Sequence, residues 1–174
     1  MLHGVNESMI PKVWRMSNNL LSLDTSSSST GWALFIDGQY AESGVIELKQ
    51  CKNSDQRMEM MITELFKLIE YYSPTTVVTE MTVVLRNPAV QRMLTMILGA
   101  VYGKCIEDEI EYQSLRPTEW RKLIDSGKKP RKREELKEWS KQKVKEIFDI
   151  ENVGDDVSDA ILLGQAYVNL FKEG

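Results

Sequence analysis

The hydrophobic pattern changes period several times along the chain, and each change marks an element. Residues 19 to 24 (NLLSLD) read as a short strand and 32 to 37 (WALFID) as a second. Asp37-Gly38 is a strong hairpin signal that leads into a third strand, 40-YAESGVIEL-48. Met58, Met61, Ile62, Leu65, Leu68, Ile69 and Tyr72 then recur at helical spacing, behind a cap at Ser54 and up to a stop at Ser73-Pro74. This Met-rich stripe is most simply core. The β-branched segment 75-TTVVTEM-81 predicts a strand with a charged residue, Glu80, near its end. Asn87-Pro88 opens a helix with Val90, Leu94, Ile97 and Val101 on one face, and small Gly99, Ala100 and Gly103 that permit close approach of another element. Residues 110 to 115 predict a fifth strand, and Pro117 starts a short helix, 117-PTEWRKLI-124. Beyond a loop with Gly127 and Pro130, a helix over 131–148 carries Leu136, Trp139 or Ser140, Val144 and Ile147. A last helix from about Asp156 to Phe171 carries Val157, Ile161, Gly164, Val168 and Phe171. The order β-β-β-α-β-α-β-α-α-α predicts an α/β layered domain, a five-stranded mixed β-sheet flanked by helices.

Composition narrows the chemistry. At 174 residues the chain has the size of one domain, with residues 1–18 expected as an N-terminal extension and 19–174 as the body. Met16 stands just before the first strand, so the leading residues are either dispensable or packed onto the body through Trp14. They hold charges and a proline and no apolar run suited to a signal peptide or membrane span, so a soluble, cytoplasmic protein is expected. Cys51 and Cys105 form no C-x-x-C, which argues against a disulfide framework or a thiolate zinc cage and for a reducing compartment. The single histidine, His3, lies outside the patterned region, which removes Ser-His, Cys-His and His-rich metal chemistry. Catalysis must therefore come from carboxylates, lysines or hydroxyls.

Charge is unevenly spread. The window from Arg121 to Lys145 holds eleven Lys/Arg against four acids, a local +7 that leaves −11 for the rest of a chain of net charge −4. Glu134, Glu135 and Glu138 can pair with lysines at i+3 or i+4, as on any solvated helix face. The imbalance favours a second reading, a basic stripe for a phosphate backbone, with Lys128, Lys129, Arg131, Lys132 and Arg133 in its densest part.

Four acids stand where an amphipathic pattern does not want them. Asp24 ends the first strand and Glu80 the β-branched one, while Asp156 and Asp159 lie three apart at the start of the last helix and share a face. Each has a plain alternative. Asp24, followed by a Ser/Thr run, reads by itself as a turn-former; Asp155 or Asp156 can cap the helix; Glu80 can be a surface charge. Asp159 borders the apolar stripe and needs a partner. If the four converge, their repulsion calls for divalent cations, and oxygen ligands without His or Cys favour Mg²⁺, with Mn²⁺ substituting. Two such ions about 4 Å apart activate water for in-line displacement at phosphorus.

These features together resemble the ribonuclease H-like superfamily and, within it, the RuvC-type Holliday-junction resolvases. The matching stretches are LLSLDTSSSSTGWALF, TTVVTEMTVVLRN with the following helix, PTEWRKLIDSGKKPRKREELK and DDVSDAILLGQAY, in order over most of residues 19 to 171. The resemblance implies that Asp24, Glu80, Asp156 and Asp159 are the catalytic, metal-binding acids. It further implies that Lys137 lies near the scissile phosphate, that Arg121 or Lys122 is a second basic contact, and that helix 88–103 forms a homodimer acting on branched DNA. The Ser/Thr run and Gly31 are then expected to make a tight polar hairpin beside a DNA phosphate. Val83, Val84 and Leu85 stand where the cellular enzymes carry a junction-probing aromatic. With Arg86-Asn87-Pro88 and Trp120-Arg121-Lys122, this looks more like the bacteriophage versions and implies a wider taste for forks and flaps. Competing readings are a nuclease of the same fold acting on RNA or RNA–DNA hybrid, a non-catalytic module of that fold, and an actin-like or sugar-kinase-like phosphate-binding domain. The last needs a second domain and a second glycine-rich loop, and the four acids argue against the non-catalytic module.

Overall fold

A computed structural model describes residues 18–82 and 87–170. Trp14, Val83, Val84, Leu85, Arg86 and Phe171, to which the sequence assigns roles, lie outside the described residues, as does most of the expected 1–18 extension. Strands β1 (Asn19–Thr25), β2 (Ser29–Ile36) and β3 (Gln39–Glu47) form an antiparallel meander. Helix α1 (Ser54–Tyr72), β4 (Thr76–Glu80), α2 (Pro88–Glu107), β5 (Glu111–Leu115), α3 (Pro117–Ile124), α4 (Arg133–Phe148) and α5 (Asp155–Leu170) follow. The sheet runs β3-β2-β1-β4-β5, with β4 parallel to both β1 and β5. This is the predicted five-stranded mixed sheet flanked by helices.

Strand alternation splits β1 between two cores. Leu21 and Leu23 pack with Val77 against Met61, Leu65 and Ile69 of α1 and Ile97 and Val101 of α2. Leu20 faces the other way, with Val78, Phe35, Trp120, Val144 and the α5 residues Ile161, Leu162 and Leu163. Each of these large fully buried side chains contributes about 2 kcal/mol of transfer free energy. Ser22 shares the α5 side of β1, where its hydroxyl donates to Ala160 O at 2.7 Å and ties the helix to the sheet. The predicted hairpin is present, with Asp37 at φ 51° and Gly38 at φ 76°, the left-handed pair that a two-residue turn requires.

Boundaries shift where side chains cap differently from the expected pattern. Helix α1 is capped by Asn53, whose Oδ1 accepts from Gln56 N at 2.9 Å, so Ser54 is its first residue instead of its cap. Helix α4 begins at Arg133 because residues 131 and 132 remain extended or bent, and α2 continues to Glu107. On α4 the buried stripe runs through Ser140 and Val144, while Ile147 is exposed. Strand β2 starts three residues earlier than Trp32. Its extra length comes from Ser29, Thr30 and Gly31, which pair with β1 and β3.

Candidate active site

The strand ladder brings two of the four acids together. Asp24 shares the face of Leu20 and Ser22, and Glu80 that of Val78, so both point toward α5. Strands β1 and β4 are in parallel register through Leu23 and Thr79, and the next step sets Asp24 beside Glu80. Two carboxylates thus stand at the carboxyl ends of neighbouring parallel strands, the place where open α/β sheets bind ligands.

Gly31 brings in the other two. It is Asp24's partner across the β1–β2 ladder, and a Cβ built on it would lie 1.9 Å from the backbone oxygen of Asp156. The first turn of α5 therefore rests on bare β2 backbone directly across from Asp24. No larger residue fits there. Ser29 Oγ donates to Asp156 Oδ2, a contact that also fastens this turn to β2. From α4, buried Ser140 donates to Asp159 Oδ1 at 2.5 Å. From α3, fully buried Trp120 donates its indole N–H to Glu80 Oε2 at 2.6 Å. Arg121 lies over the Trp120 ring, 4.6 Å from its centroid, with Nη2 3.8 Å from Glu80 Oε2 and its buried Nε without a partner.

The Ser/Thr run joins β1 to β2 in a hairpin whose turn is shorter than the run itself. Asp24 is a strand residue, not a turn-former, and the turn is closed by Ser26, whose Oγ accepts from Ser29 N at 3.0 Å. Ser29, Thr30 and Gly31 are strand, with Thr30 Oγ1 against Met61 Sδ at 3.3 Å. Ser29 and Thr30 consequently face the protein instead of forming a polar tip.

Crowded carboxylates shape the electrostatics. Burial pushes Asp24 well above the usual carboxylate value; the charges of Asp159, Glu80 and Asp156 push further, and Arg121 opposes them. Burial also raises Glu80, against the Trp120 N–H and Arg121, and raises Asp159, against the Ser140 hydroxyl and Arg121. Asp24 accepts no hydrogen bond among the described residues. The donor set, four carboxylates without His or Cys, fits a hard divalent cation, and such an ion would remove the repulsion that lifts Asp24. In the present rotamers no three of the described acids enclose a metal position, because Glu80, Asp156 and Asp159 are each turned to a protein donor. Metal entry requires those side chains to swing toward Asp24.

No family model and no curated protein sequence matches the chain. Solved structures do. RuvC of Thermus thermophilus, solved in complex with a Holliday junction substrate, superimposes with a TM-score of 0.70 at 12% identity over 90% of this chain and 96% of that one. A second Thermus thermophilus RuvC structure gives 0.70 at 14% identity over the same shares. The yeast mitochondrial Holliday junction resolvase Ydc2 gives 0.61 at 16% identity over 86% of this chain and 77% of its own. The chain has the ribonuclease H-like fold of the RuvC-type resolvases.

Around this RuvC-type fold the predicted basic residues separate into groups. Arg121 enters the acid cluster, whereas Lys122, one residue on, is exposed and lines a groove with Leu115, Ile124 and Leu170. Lys128, Arg131 and Arg133 are exposed and make no ion pair among the described residues, and Lys132 has Glu135 at 3.4 Å. Lys129 turns inward to the carbonyls of Asp125 and Gly127 and sits 5.3 Å from the Trp139 ring centroid, so it holds its own loop. Lys137 reaches Asp155 at 3.0 Å, and the local pairs Lys137–Glu134 and Lys141–Glu138 both form. On α2, Gly99 and Gly103 have open space around them beside exposed Met96, Tyr102 and Ile106; no element among the described residues uses the close approach they permit. Sequence reasoning missed Ser29, Ser140 and Trp120 as donors to the acids. Ser140 alone left a signal, a hydroxyl on an apolar stripe.

Proposed function

We propose that this protein is a metal-dependent endonuclease that hydrolyses DNA phosphodiesters at four-way junctions and other branched DNA, acting as a homodimer. The observation that carries the reading is the meeting of Asp24 and Glu80 with Asp156 and Asp159, where burial, and then the neighbouring acids, push Asp24 well above its ordinary value. A fold shared with two resolvases, one of them solved on a Holliday junction, adds support.

In this mechanism Asp24, Glu80, Asp156 and Asp159 would hold two Mg²⁺ ions, for which Mn²⁺ would substitute, and the metals would supply activation of water and charge neutralisation at the phosphate. Trp120 and Ser140 orient Glu80 and Asp159 from outside the cluster. Arg121, with a buried unpartnered Nε, stabilises charge on the phosphate from within, and Lys137 does so from α4. Lys128, Arg131, Lys132 and Arg133 grip the flanking backbone without reading bases. The exposed apolar face of α2 supplies the dimer contact, which sets two sites on opposed strands of a symmetrical junction. No helix among the described residues is long and apolar enough to cross a membrane, and Cys51 and Cys105 are free thiols, in keeping with a reducing cytoplasm.

The test is incubation of the purified protein, with and without Mg²⁺, with synthetic four-way junction, fork, flap, linear duplex and RNA–DNA hybrid. Paired nicks on the junction, dependent on metal, are expected; cleavage of the hybrid with the junction intact would replace this reading by the ribonuclease one.

A further inference from the structure

The first turn of α5 aims three acids in three directions. Asp156 meets Ser29 on β2 and Asp159 meets Ser140 on α4. Asp155, immediately before them, points to another part of α4, where its Oδ2 lies 3.0 Å from Lys137 Nζ and its Oδ1 2.8 Å from Lys141 Nζ. Lys137 and Lys141 are one helical turn apart, so their ammonium groups reach a common point. Each also has a partner on its own helix, Glu134 at 3.9 Å and Glu138 at 3.1 Å.

The shape of this contact matters more than its strength. One negative charge shared by two oxygens, each held by its own lysine, is what a DNA phosphodiester also presents through its two non-bridging oxygens. The carboxylate filling the clamp belongs to the residue next to Asp156, so the clamp adjoins the proposed metal site. Side-chain exposures of 34% for Asp155, 29% for Lys137 and 35% for Lys141 leave it open to a ligand without unfolding. Paired charges this accessible are weak, and a polyanion can displace the carboxylate.

We propose that Lys137 and Lys141 together form a binding site for a backbone phosphate of the DNA substrate, and that Asp155 occupies this site as a placeholder until DNA displaces it. The proposal rests on the nuclease reading and adds to it a second lysine and an internal competitor. Lys141 acquires a role equal to that of Lys137, and Asp155 opposes binding.

The experiment is fluorescence anisotropy of a labelled four-way junction in metal-free buffer at low salt. It compares the wild type with Asp155→Asn, Glu138→Gln, the double variant Lys137→Ala/Lys141→Ala, and that double variant combined with Asp155→Asn. Asp155→Asn is expected to tighten binding about fivefold, the size of one exposed ion pair. Glu138→Gln, which removes the same charge beside Lys141 but outside the clamp, should change it less than about twofold. In the absence of both lysines the gain from Asp155→Asn should vanish. Asp155→Ser repeats the test if the amide disturbs the first turn of α5, with circular dichroism confirming the fold. A gain no larger than that of Glu138→Gln, or one that persists without the lysines, overturns the placeholder while leaving the nuclease reading in place. If the wild type binds none of junction, fork or flap, the nuclease reading falls and the placeholder with it.

Discussion

The helix layers on the two faces of the sheet are built on different terms. Helices α1 and α2 meet β1 and β4 through apolar side chains; the polar contacts on that face are isolated, Thr30 of β2 to Met61 of α1 and Thr79 of β4 to Tyr112 of the neighbouring β5. Helix α5 meets the same strands through an apolar middle and a polar end. Ser22, Ser29, Ser140 and Trp120 supply the hydrogen bonds there, and three carboxylates are lifted by burial. The α2 layer satisfies itself inward and leaves an apolar face outward. One layer thus carries apolar packing and an exposed apolar face, and the other carries stored electrostatic strain, the usual mark of a site.

Asp24→Asn breaks this contrast most severely. Removing the charge should lower metal-dependent nicking on the order of a thousandfold or more while junction binding persists. The same change should stabilise the metal-free protein by about 1–2 kcal/mol, a rise of roughly 3–6 °C in Tm, because an uncompensated carboxylate is gone. Opposite signs in the cleavage assay and the melting curve are the signature; a loss in both would make Asp24 a structural residue.

Gly31→Ala tests the close contact that assembles the site. A methyl group 1.9 Å from the Asp156 carbonyl oxygen must displace α5, at about 3 kcal/mol by urea unfolding and with loss of cleavage. Retention of both would mean that α5 is free to move away from β2.

The pH response separates the two kinds of acid. Asp24, Glu80 and Asp159 have native values above the 3.8 and 4.5 of ordinary Asp and Glu, so the folded metal-free protein holds protons that the unfolded chain has released. Their contribution to stability is greatest below those ordinary values and is lost as pH rises through the raised native ones. Asp155 and Glu146 are held low by lysines, and Asp125 by the Gly127 backbone N–H and then Lys143; these act oppositely, losing their contribution as pH falls. Melting in EDTA should therefore show Tm falling as pH rises from the ordinary carboxylate range through the raised native values, and Mg²⁺ should flatten the decline.

The smallest effect on the fold is expected at α2. A Cβ on Gly103 meets nothing within 4 Å among the described residues, so Gly103→Arg should change monomer stability by less than about 1 kcal/mol. If the proposed dimer forms through α2, sedimentation should nevertheless show this variant as monomer where the wild type is dimer. An unchanged mass would move the dimer contact elsewhere.

Much of the fold was legible because its signals are local. The switch from two-residue to helical periodicity, Asp37-Gly38, and the prolines at the first turns of α2 and α3 each act within a few residues, and every predicted element is present in the predicted order. The four acids stood out for the same reason, since each interrupts a local pattern. The donors around them did not: Ser29 meets Asp156 from 127 residues away, Trp120 meets Glu80 from 40, and Ser140 meets Asp159 from 19.

Sequence alone thus determined the elements, their order and the residues worth watching, because backbone preference and amphipathic phase depend on neighbours along the chain. Tertiary structure decided the rest. Arg121 and Lys122 are about 100° apart on one helix, and only the seating of α3 turns the first toward Glu80 and the second outward. Lys129 and Lys137 look alike in the basic window, yet one holds its own loop and the other meets Asp155. Gly31 read as part of a turn until β2 was seen to start at Ser29, with α5 seated on it. Which charges meet, and which remain free for a ligand, depends on strand register and on helices packed across the sheet, and these contacts leave no periodic trace in the chain.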